Sequence, residues 1–232
     1  MPESRTSYVY ENVIRRILSG AYGPGHALSR REVASELSVS ISPVNEAFAV
    51  LQSEGIVQTL PRKGTFVAQL DWRDLVELTI IRTALEAEAA RAYCGERISS
   101  RRQEMLELAG RVDDAEPVTY EHLHADVVFH RTLVSLAGNR TLATMLDTVI
   151  ARSLLLAMEA TLATRGRPVT KSHREFVRDL CSAEPDAVAP IVRRNIFSGK
   201  EAFLDTDMSR AVVDRTGSPL DLVLSVIQEA HR

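Results

Sequence analysis

The sequence predicts a mainly α-helical protein in two parts: a small N-terminal unit of three helices with a β-hairpin wing, then an all-α bundle of six to seven helices. Apolar residues recur at helical spacing through most of the 232 residues. Only residues 56–67 alternate like two short strands, around the basic tip Pro61-Arg62-Lys63-Gly64. Glycine and proline separate the helical segments. We therefore expect one domain at residues 1–68 and a second at residues 71–232.

Three short helices are predicted before the strands. The first spans Thr6–Ser19, with its apolar residues on one face. A capping box, in which Ser29 is followed three residues later by Glu32, starts the second. We expect the third to begin at Ser42, with Pro43 at its first position, where the missing N–H costs nothing.

The second part carries helical patterns separated by short breaks, which is typical of a helical bundle. The predicted helices are Asp71–Tyr93, Ser99–Val112, Thr119–Ala137, Thr141–Thr164, Ser172–Ser182 and Pro185–Leu204, with an extra C-terminal helix at about 219–231.

The composition is that of an ordinary globular protein, with 45% hydrophobic and 25% charged residues. No run approaches the roughly 18 apolar residues of a membrane span, and the first residues lack the apolar core of a signal peptide. The two cysteines, Cys94 and Cys181, form no metal or redox motif, and we expect both to be free thiols. These features predict a cytoplasmic protein with no membrane partner.

The order helix, helix, tight turn, helix and two-stranded wing is that of a winged helix-turn-helix, whose third helix enters the major groove of double-stranded DNA. There Asn45 can pair with adenine, and Ile41 can pack on a thymine methyl group. Residues 1–68 hold seven Lys/Arg and six Asp/Glu, so the prediction rests on pattern rather than on charge. A protein-interaction winged helix is the alternative. The other candidate DNA contacts are Arg30, Arg31, Ser40, Ser42, Arg62 and Lys63.

Residues 8–67 resemble the DNA-binding domain of the GntR family of regulators. The resemblance is carried by Gly23-Pro24-Gly25, Ser40-Ile41-Ser42-Pro43-Val44-Asn45-Glu46-Ala47-Phe48, Glu54-Gly55-Ile56-Val57 and Pro61-Arg62-Lys63-Gly64-Thr65-Phe66-Val67. It implies DNA contacts by Arg31 and Gly64. The family usually has arginine where this chain has Ile41 and Asn45. We therefore expect an unusual operator, richer in A·T at the contacted positions.

Polar side chains on buried faces of the second part predict a ligand site. Asp126 and His130 are one turn apart on one helix, and His173 follows on another. One carboxylate and two imidazoles suit a divalent transition metal, although an Asp–His pair is also a common structural hydrogen bond. Arg82 points inward, either to anchor an acidic effector or to pair with Glu86. Arg152 and Ser153 are weaker pocket candidates.

Residues 71–205 resemble the ligand-binding domain of the FadR subgroup of that family. The matching residues are Arg82-Thr83-Ala84-Leu85-Glu86, Asp126, Phe129-His130, Gly138-Asn139 and Ser172-His173. The resemblance implies a metal of the zinc, nickel or manganese class held by Asp126, His130 and His173. Asn195 replaces the subgroup's last histidine, and an amide is the poorer ligand, so a metal-free polar core is the alternative. Asn139 joins the effector-binding candidates.

The resemblance also implies a homodimer that binds a pseudo-palindromic operator and responds to a small acidic metabolite. We expect a repressor, and an activator is the alternative. Two other functions compete with this one. A helical metal hydrolase would need a general base outside the candidate ligands, and none is evident, so we predict no enzyme activity. A regulator-like binding module that has lost DNA binding is the second alternative. Salt dependence of DNA affinity separates it from a regulator, because phosphate contacts weaken with added salt.

Overall fold

The computed structural model describes residues 4–69, 72–156 and 172–197. The N-terminal part contains α1 (Arg5–Leu18), β1 (Ala27–Leu28), α2 (Arg30–Glu36), α3 (Ile41–Ser53), β2 (Val57–Leu60) and β3 (Gly64–Val67). The second part contains α4 (Trp72–Tyr93), α5 (Glu96–Ser99), α6 (Arg102–Asp113), α7 (Tyr120–Ser135), α8 (Arg140–Asp147), helical residues 150–156 (α9), α10 (His173–Ser182), a 3-10 turn (Pro185–Ala187) and α11 (Val188–Phe197).

The first three helices close around a small apolar core. Val9, Val13 and Ile14 of α1 pack with Phe48 and Leu51 of α3, and all five are buried. The predicted periodicity of both helices is therefore confirmed, because the residues at helical spacing are the ones removed from water.

The wing belongs to a three-stranded antiparallel sheet in the order β1-β3-β2. In it Thr65 of β3 lies opposite Thr59 on one side and Leu28 on the other. The two strands of the hairpin were predicted, but β1 was not, because a strand of two residues is too short to show any alternation.

The second part is a helical bundle organised around α4, which is 22 residues long. This helix packs against α7, α8 and α11, while α6 packs between α7 and α10. Buried aliphatic and aromatic side chains such as Phe129, Leu133, Leu146, Phe176 and Val192 fill the space between them. The predicted fold class, a winged helix-turn-helix followed by an all-α bundle, is confirmed.

Three helix boundaries differ from the prediction. The segment Ser99–Val112 was predicted as one helix, but Ser100 ends α5, and its hydroxyl bonds the Arg97 carbonyl. The segment Thr141–Thr164 is interrupted at residues 148–149, where the Thr148 hydroxyl bonds the Met145 carbonyl. Side-chain hydroxyls that compete for backbone carbonyls weaken a helix at such positions.

The third difference is that α3 begins at Ile41 rather than Ser42, with Ser40 as the residue before it. Pro43 still lies in the first turn, where its missing N–H has no partner to lose. The predicted extra helix at 219–231 lies outside the described residues. Within the ranges that the structure describes, none of the helices combines the length and apolarity that crossing a bilayer requires.

Candidate functional site

The exposed face of α3 is the candidate DNA-reading surface. Ile41 is 45% exposed, and Ser42 and Asn45 are exposed beside it, while Val44 and Phe48 hold the other face in the core. Ser40 is also exposed, immediately before the helix. The helix places small polar and apolar side chains where base edges would lie. It holds no basic residue.

The basic side chains lie around α3 rather than on it. Arg31 at the start of α2 and Arg62 and Lys63 at the tip of the wing are exposed. Arg30 is half-buried, with its guanidinium 5.1 Å from the centre of the Phe48 ring, so part of its contact area is already used for packing. Gly64 has φ 116°, a conformation that side chains strongly disfavour, so it is suited to a close backbone approach.

The buried Asp126 and His130 of α7 and the half-buried His173 of α10 form a cluster. One carboxylate oxygen of Asp126, Oδ1, lies 3.1 Å from His130 Nε2 and 3.6 Å from His173 Nε2. One ligand atom from each of the three residues lies within 4.8 Å of the others. The three residues therefore belong to one site, with Asp126 and His130 on one helix and His173 on another.

A second layer of carboxylates holds both imidazoles by their other nitrogen. Glu86 of α4 lies 2.5 Å from His130 Nδ1, and Asp113 of α6 lies 2.9 Å from His173 Nδ1. Each imidazole is therefore oriented with Nε2 toward Asp126. This carboxylate–histidine arrangement is typical of metal-binding histidines, because it fixes the tautomer and increases the basicity of the ligand nitrogen.

The cluster fits a metal ion better than it fits a closed set of hydrogen bonds. Asp126 Oδ1 is buried without a hydrogen-bond partner among the described residues, although His130 Nε2 lies only 3.1 Å away. A buried carboxylate oxygen that lacks a partner is costly. A cation between Oδ1 and the two Nε2 atoms would satisfy all three, and this donor set suits a divalent transition metal.

The charges of the cluster support one another. Burial would raise the pKa of Glu86, but the charges of His130 and Arg82 and their hydrogen bonds outweigh it and lower that pKa to about 2. Burial would lower the pKa of His173, but the hydrogen bond to Asp113 and the charges of Asp126 and Asp113 raise it to about 9. The protein without a metal therefore holds a proton on His173, which a metal must displace.

A model of bacterial regulatory proteins of the gntR family matches residues 5–67, and an FCD domain model matches residues 77–197. The chain belongs to the GntR family. The predicted resemblance to this family and to its FadR-type subgroup is confirmed. This family consists of bacterial regulatory proteins, and the relatives are transcriptional regulators rather than enzymes.

Individual relatives cover most of the chain. The gluconate operon transcriptional repressor of Bacillus subtilis (strain 168) is 29% identical over 210 residues, which are 85% of this chain and 84% of that protein. The repressor of the same name from Bacillus licheniformis is 27% identical over 192 residues, 78% and 77% of the two chains. A solved GntR regulator from Rhodococcus sp. RHA1 shares the fold, with a TM-score of 0.60 at 24% identity over 88% of this chain and 99% of that one.

In this GntR protein, three candidate effector-binding residues form hydrogen bonds with other groups of the protein. Arg82 is 2% exposed and donates a hydrogen bond from Nε to Glu86 (2.6 Å), which is the alternative that the sequence left open. Asn139 is exposed and caps α8 by accepting from Leu142 N. The hydroxyl of Ser153 bonds the Ile150 carbonyl.

Two further candidates, Arg152 and Asn195, are half-buried. Arg152 reaches toward the DNA-binding part, where a Cβ added to Gly55 would lie 2.7 Å from its Nη1 atom. Asn195 lies on α11.

Three residues near the cluster were not assigned to the site from the sequence. Glu86 was considered only as a partner of Arg82, and Asp113 was not considered, because neither lies at ligand spacing. His122, one turn before Asp126, was given no role, yet it is half-buried, and its Nδ1 accepts a hydrogen bond from Val118 N (3.3 Å). Val118 has φ 61°, an unusual conformation for a β-branched residue, and such strain is often found next to functional sites.

Proposed function

We propose that this protein is a transcriptional repressor whose affinity for an operator is controlled by a small acidic metabolite bound in its FCD domain, through a divalent metal. The observation that carries this proposal is the Asp126–His130–His173 cluster, in which the buried Asp126 Oδ1 has no hydrogen-bond partner among the residues that the structure describes. Repression is proposed because two similar proteins bear the name of an operon repressor.

Asp126, His130 and His173 would hold a zinc, nickel or manganese ion through one oxygen and two nitrogens. Three protein ligands leave coordination positions free, and a metal with open positions binds carboxylate oxygens of a small acid directly. His173 and Asp126 keep 14% and 11% of their side-chain surface exposed, against 1% for His130, so an effector would approach from their side. Asn195 stays a weak fourth ligand in this proposal, and Arg82 stays the buried cation that pairs with Glu86.

The DNA contacts proposed for the N-terminal domain divide into two groups. Asn45 and Ile41 would read adenine and thymine in the major groove, so the operator should be richer in A·T at those positions. Arg31, Arg62 and Lys63 would contact phosphates, together with the backbone around Ser40, Ser42 and Gly64. Arg30 would contribute less, because it packs on Phe48.

We further propose a homodimer on a pseudo-palindromic operator, since the symmetry of the protein would then match the symmetry of the half-sites. Ile81 on α4 and Met145 on α8 are 47% and 56% exposed, and the two helices pack together. Exposed apolar side chains on adjacent helices are suited to a subunit contact. We keep the division into domains at 1–68 and 71–232, and we place the action of the protein in the cytoplasm, where its DNA target would lie.

Metal titration by calorimetry tests the sensor half of the proposal. Wild-type protein stripped with a chelator should bind one zinc or nickel ion per chain, and Asp126→Asn should weaken binding at least a hundredfold. Asp179→Asn is the matched control, because Asp179 lies on α10 in a surface ion pair with Arg194. Equal affinities of wild type and Asp126→Asn would overturn the metal site.

A regulator-like module that no longer binds DNA is the second candidate, favoured by the absence of any basic residue from α3. Titration of DNA at several salt concentrations distinguishes the two. For a repressor that contacts phosphates, the logarithm of the DNA association constant should fall linearly with the logarithm of the salt concentration. Absence of binding at low salt would favour the module.

A further inference from the structure

The first turn of α7 contacts the DNA-binding domain directly. Arg15 of α1 forms a two-pronged ion pair with Glu121, in which its Nη1 and Nη2 atoms each donate to a different carboxylate oxygen. The same guanidinium lies 4.9 Å from the centre of the Tyr120 ring. Glu11 of α1 also accepts hydrogen bonds from Arg15 Nε (2.8 Å) and Nη2 (2.7 Å). A planar guanidinium held by two carboxylates and an aromatic face has a defined position, so this contact fixes the position of α1 relative to the first turn of α7.

The C-terminal end of α3 makes the second contact with the FCD domain. The Tyr10 hydroxyl donates to Glu54 (2.7 Å), and the charges of Arg131 and Asp147 act on the pKa of that carboxyl, which burial raises. A Cβ added to Gly55 would lie 2.7 Å from Arg152 Nη1, so this guanidinium lies against the end of the helix. A cation at this position is favoured by the helix dipole.

We propose that these contacts, which we call the interdomain latch (Arg15 with Tyr120 and Glu121, and Arg152 with Gly55), hold the DNA-binding domain in the arrangement that binds the operator. Arg15, Glu121 and Arg152 are then positioning residues, which act through α1 and α3 without touching DNA. The latch names residues that control operator binding, which the proposed function does not assign. Its role in regulation rests on the proposed function as a repressor.

The latched arrangement leaves the DNA-reading surface free. Ile41, Asn45, Arg62 and Lys63 are exposed while the latch is formed, because the contacts use α1 and the opposite end of α3. A latch that blocked DNA would have to cover some of these residues. The docked arrangement is therefore compatible with operator binding, and ordering the domain in advance lowers the entropy cost of binding.

The latch is built from contacts that can open. The Arg15 and Glu121 side chains are 42% and 59% exposed, and ion pairs with such exposure contribute little individually. The same helix carries Asp126 and His130 on another face, so a ligand that moves α7 acts on Tyr120 and Glu121 at once. A small differential affinity of the ligand for the two arrangements is enough to shift such an equilibrium.

Charge reversal tests the latch. The variants are Arg15→Glu, Glu121→Arg and the double swap that contains both, all in the full chain. Arg194→Glu is the matched control, because Arg194 forms an ion pair of similar exposure with Asp179 inside the FCD domain. Amide hydrogen exchange of α1 is measured without DNA, and affinity is measured on the operator selected by the wild type from a random pool.

We expect each single reversal to speed exchange in α1 and to weaken operator binding about threefold to tenfold. The double swap should recover most of the loss in both quantities but not all of it, because the carboxylate at position 15 also faces Glu11 one turn away. Arg194→Glu should change neither quantity. Rescue by the swap distinguishes positioning from general destabilisation. Arg152→Gln should weaken operator binding in the same way, whereas Arg152→Lys, which keeps the charge, should retain most of the affinity.

Two results would overturn the latch: single reversals that leave exchange in α1 and operator affinity unchanged, or losses that the swap does not restore. If the wild type selects no operator, the proposed function fails instead. The exchange measurements then still decide whether Arg15 and Glu121 hold the two domains together.

Discussion

Glu86 Oε2 lies 2.5 Å from His130 Nδ1 and joins the buried Arg82 of α4 to the candidate metal ligands of α7. The Glu86 carboxylate thus has two buried partners. Arg82 is the cation, and His130 must keep its Nε2 free to bind a metal. Since Glu86 and Arg82 are 1% and 2% exposed, neither can exchange its partner for water.

Replacement of Glu86 by glutamine should therefore affect both stability and metal affinity. The loss of charge leaves Arg82 buried beside a neutral amide, which should lower the free energy of unfolding by about 3 kcal/mol. The weaker hold on His130 should reduce metal affinity about tenfold to a hundredfold. Denaturant unfolding and calorimetry measure the two effects. The control Glu88→Gln, on the exposed side of α4, should change neither.

The adjacent pair Asp113 and Asp114 offers a matched comparison on α6. Asp113 accepts from both the backbone N–H and Nδ1 of His173, whereas Asp114 is exposed and pairs with Arg174. Asp113→Asn should weaken metal binding about tenfold to a hundredfold, because it frees the imidazole to rotate. Asp114→Asn should leave it unchanged. Equal losses in the two variants would show that the effect is general charge near α6 and not orientation of His173.

Metal binding should depend on pH in a defined direction. The pKa of His173 is raised from 6.5 to about 9 in the metal-free protein, so binding below about pH 9 must release its proton. Between about pH 6.5 and 9 the affinity should rise roughly tenfold per pH unit. Calorimetry in buffers of different ionisation enthalpy should detect close to one released proton per metal ion at pH 7. No proton release would contradict the assignment of His173 as a ligand.

Stability of the metal-free protein should depend on pH in the opposite direction. The raised pKa of His173 means that the folded state binds a proton more tightly than the unfolded chain does. This contribution to the free energy of unfolding is fully present below about pH 6.5 and is lost as the pH rises through about 9. His173→Gln should remove that part of the pH dependence, which urea unfolding at several pH values would reveal.

Specificity and general affinity for DNA should separate by residue. Asn45→Ala should cost about 1–3 kcal/mol at the adenine it contacts and relax selection at that base pair. Lys63→Ala should weaken all sequences alike and reduce the salt slope by about one. Competition binding with single-base operator variants, repeated at several salt concentrations, measures both. A loss of base preference in Lys63→Ala would contradict this division.

The helices and the three ligand positions could be predicted from the sequence because both follow local spacing. Asp126 and His130 lie one turn apart, and His173 follows a capping serine, Ser172. Glu86 and Asp113 complete the site from α4 and α6, and only the packing of four helices brings them to the imidazoles. No spacing along the chain contains that information.

The roles of Arg152 and α9 could not be predicted for a similar reason. The sequence predicts one long helix at Thr141–Thr164, which would place Arg152 in the interior of the bundle. Residues 148–149 interrupt the helix, and Arg152 lies against Gly55 of the DNA-binding domain. Contacts between domains depend on how two finished folds meet, which periodicity within either fold does not determine.

Selection of DNA from a random pool by the purified full chain decides whether this protein binds an operator. We expect a palindromic motif with two half-sites, A·T-rich at the bases facing Ile41 and Asn45, whose enrichment declines with added salt. No enrichment at low salt, with the metal either removed or restored, would contradict the proposal that this protein is an operator-binding repressor. A motif centred on G·C at the contacted bases would contradict the roles assigned to Ile41 and Asn45.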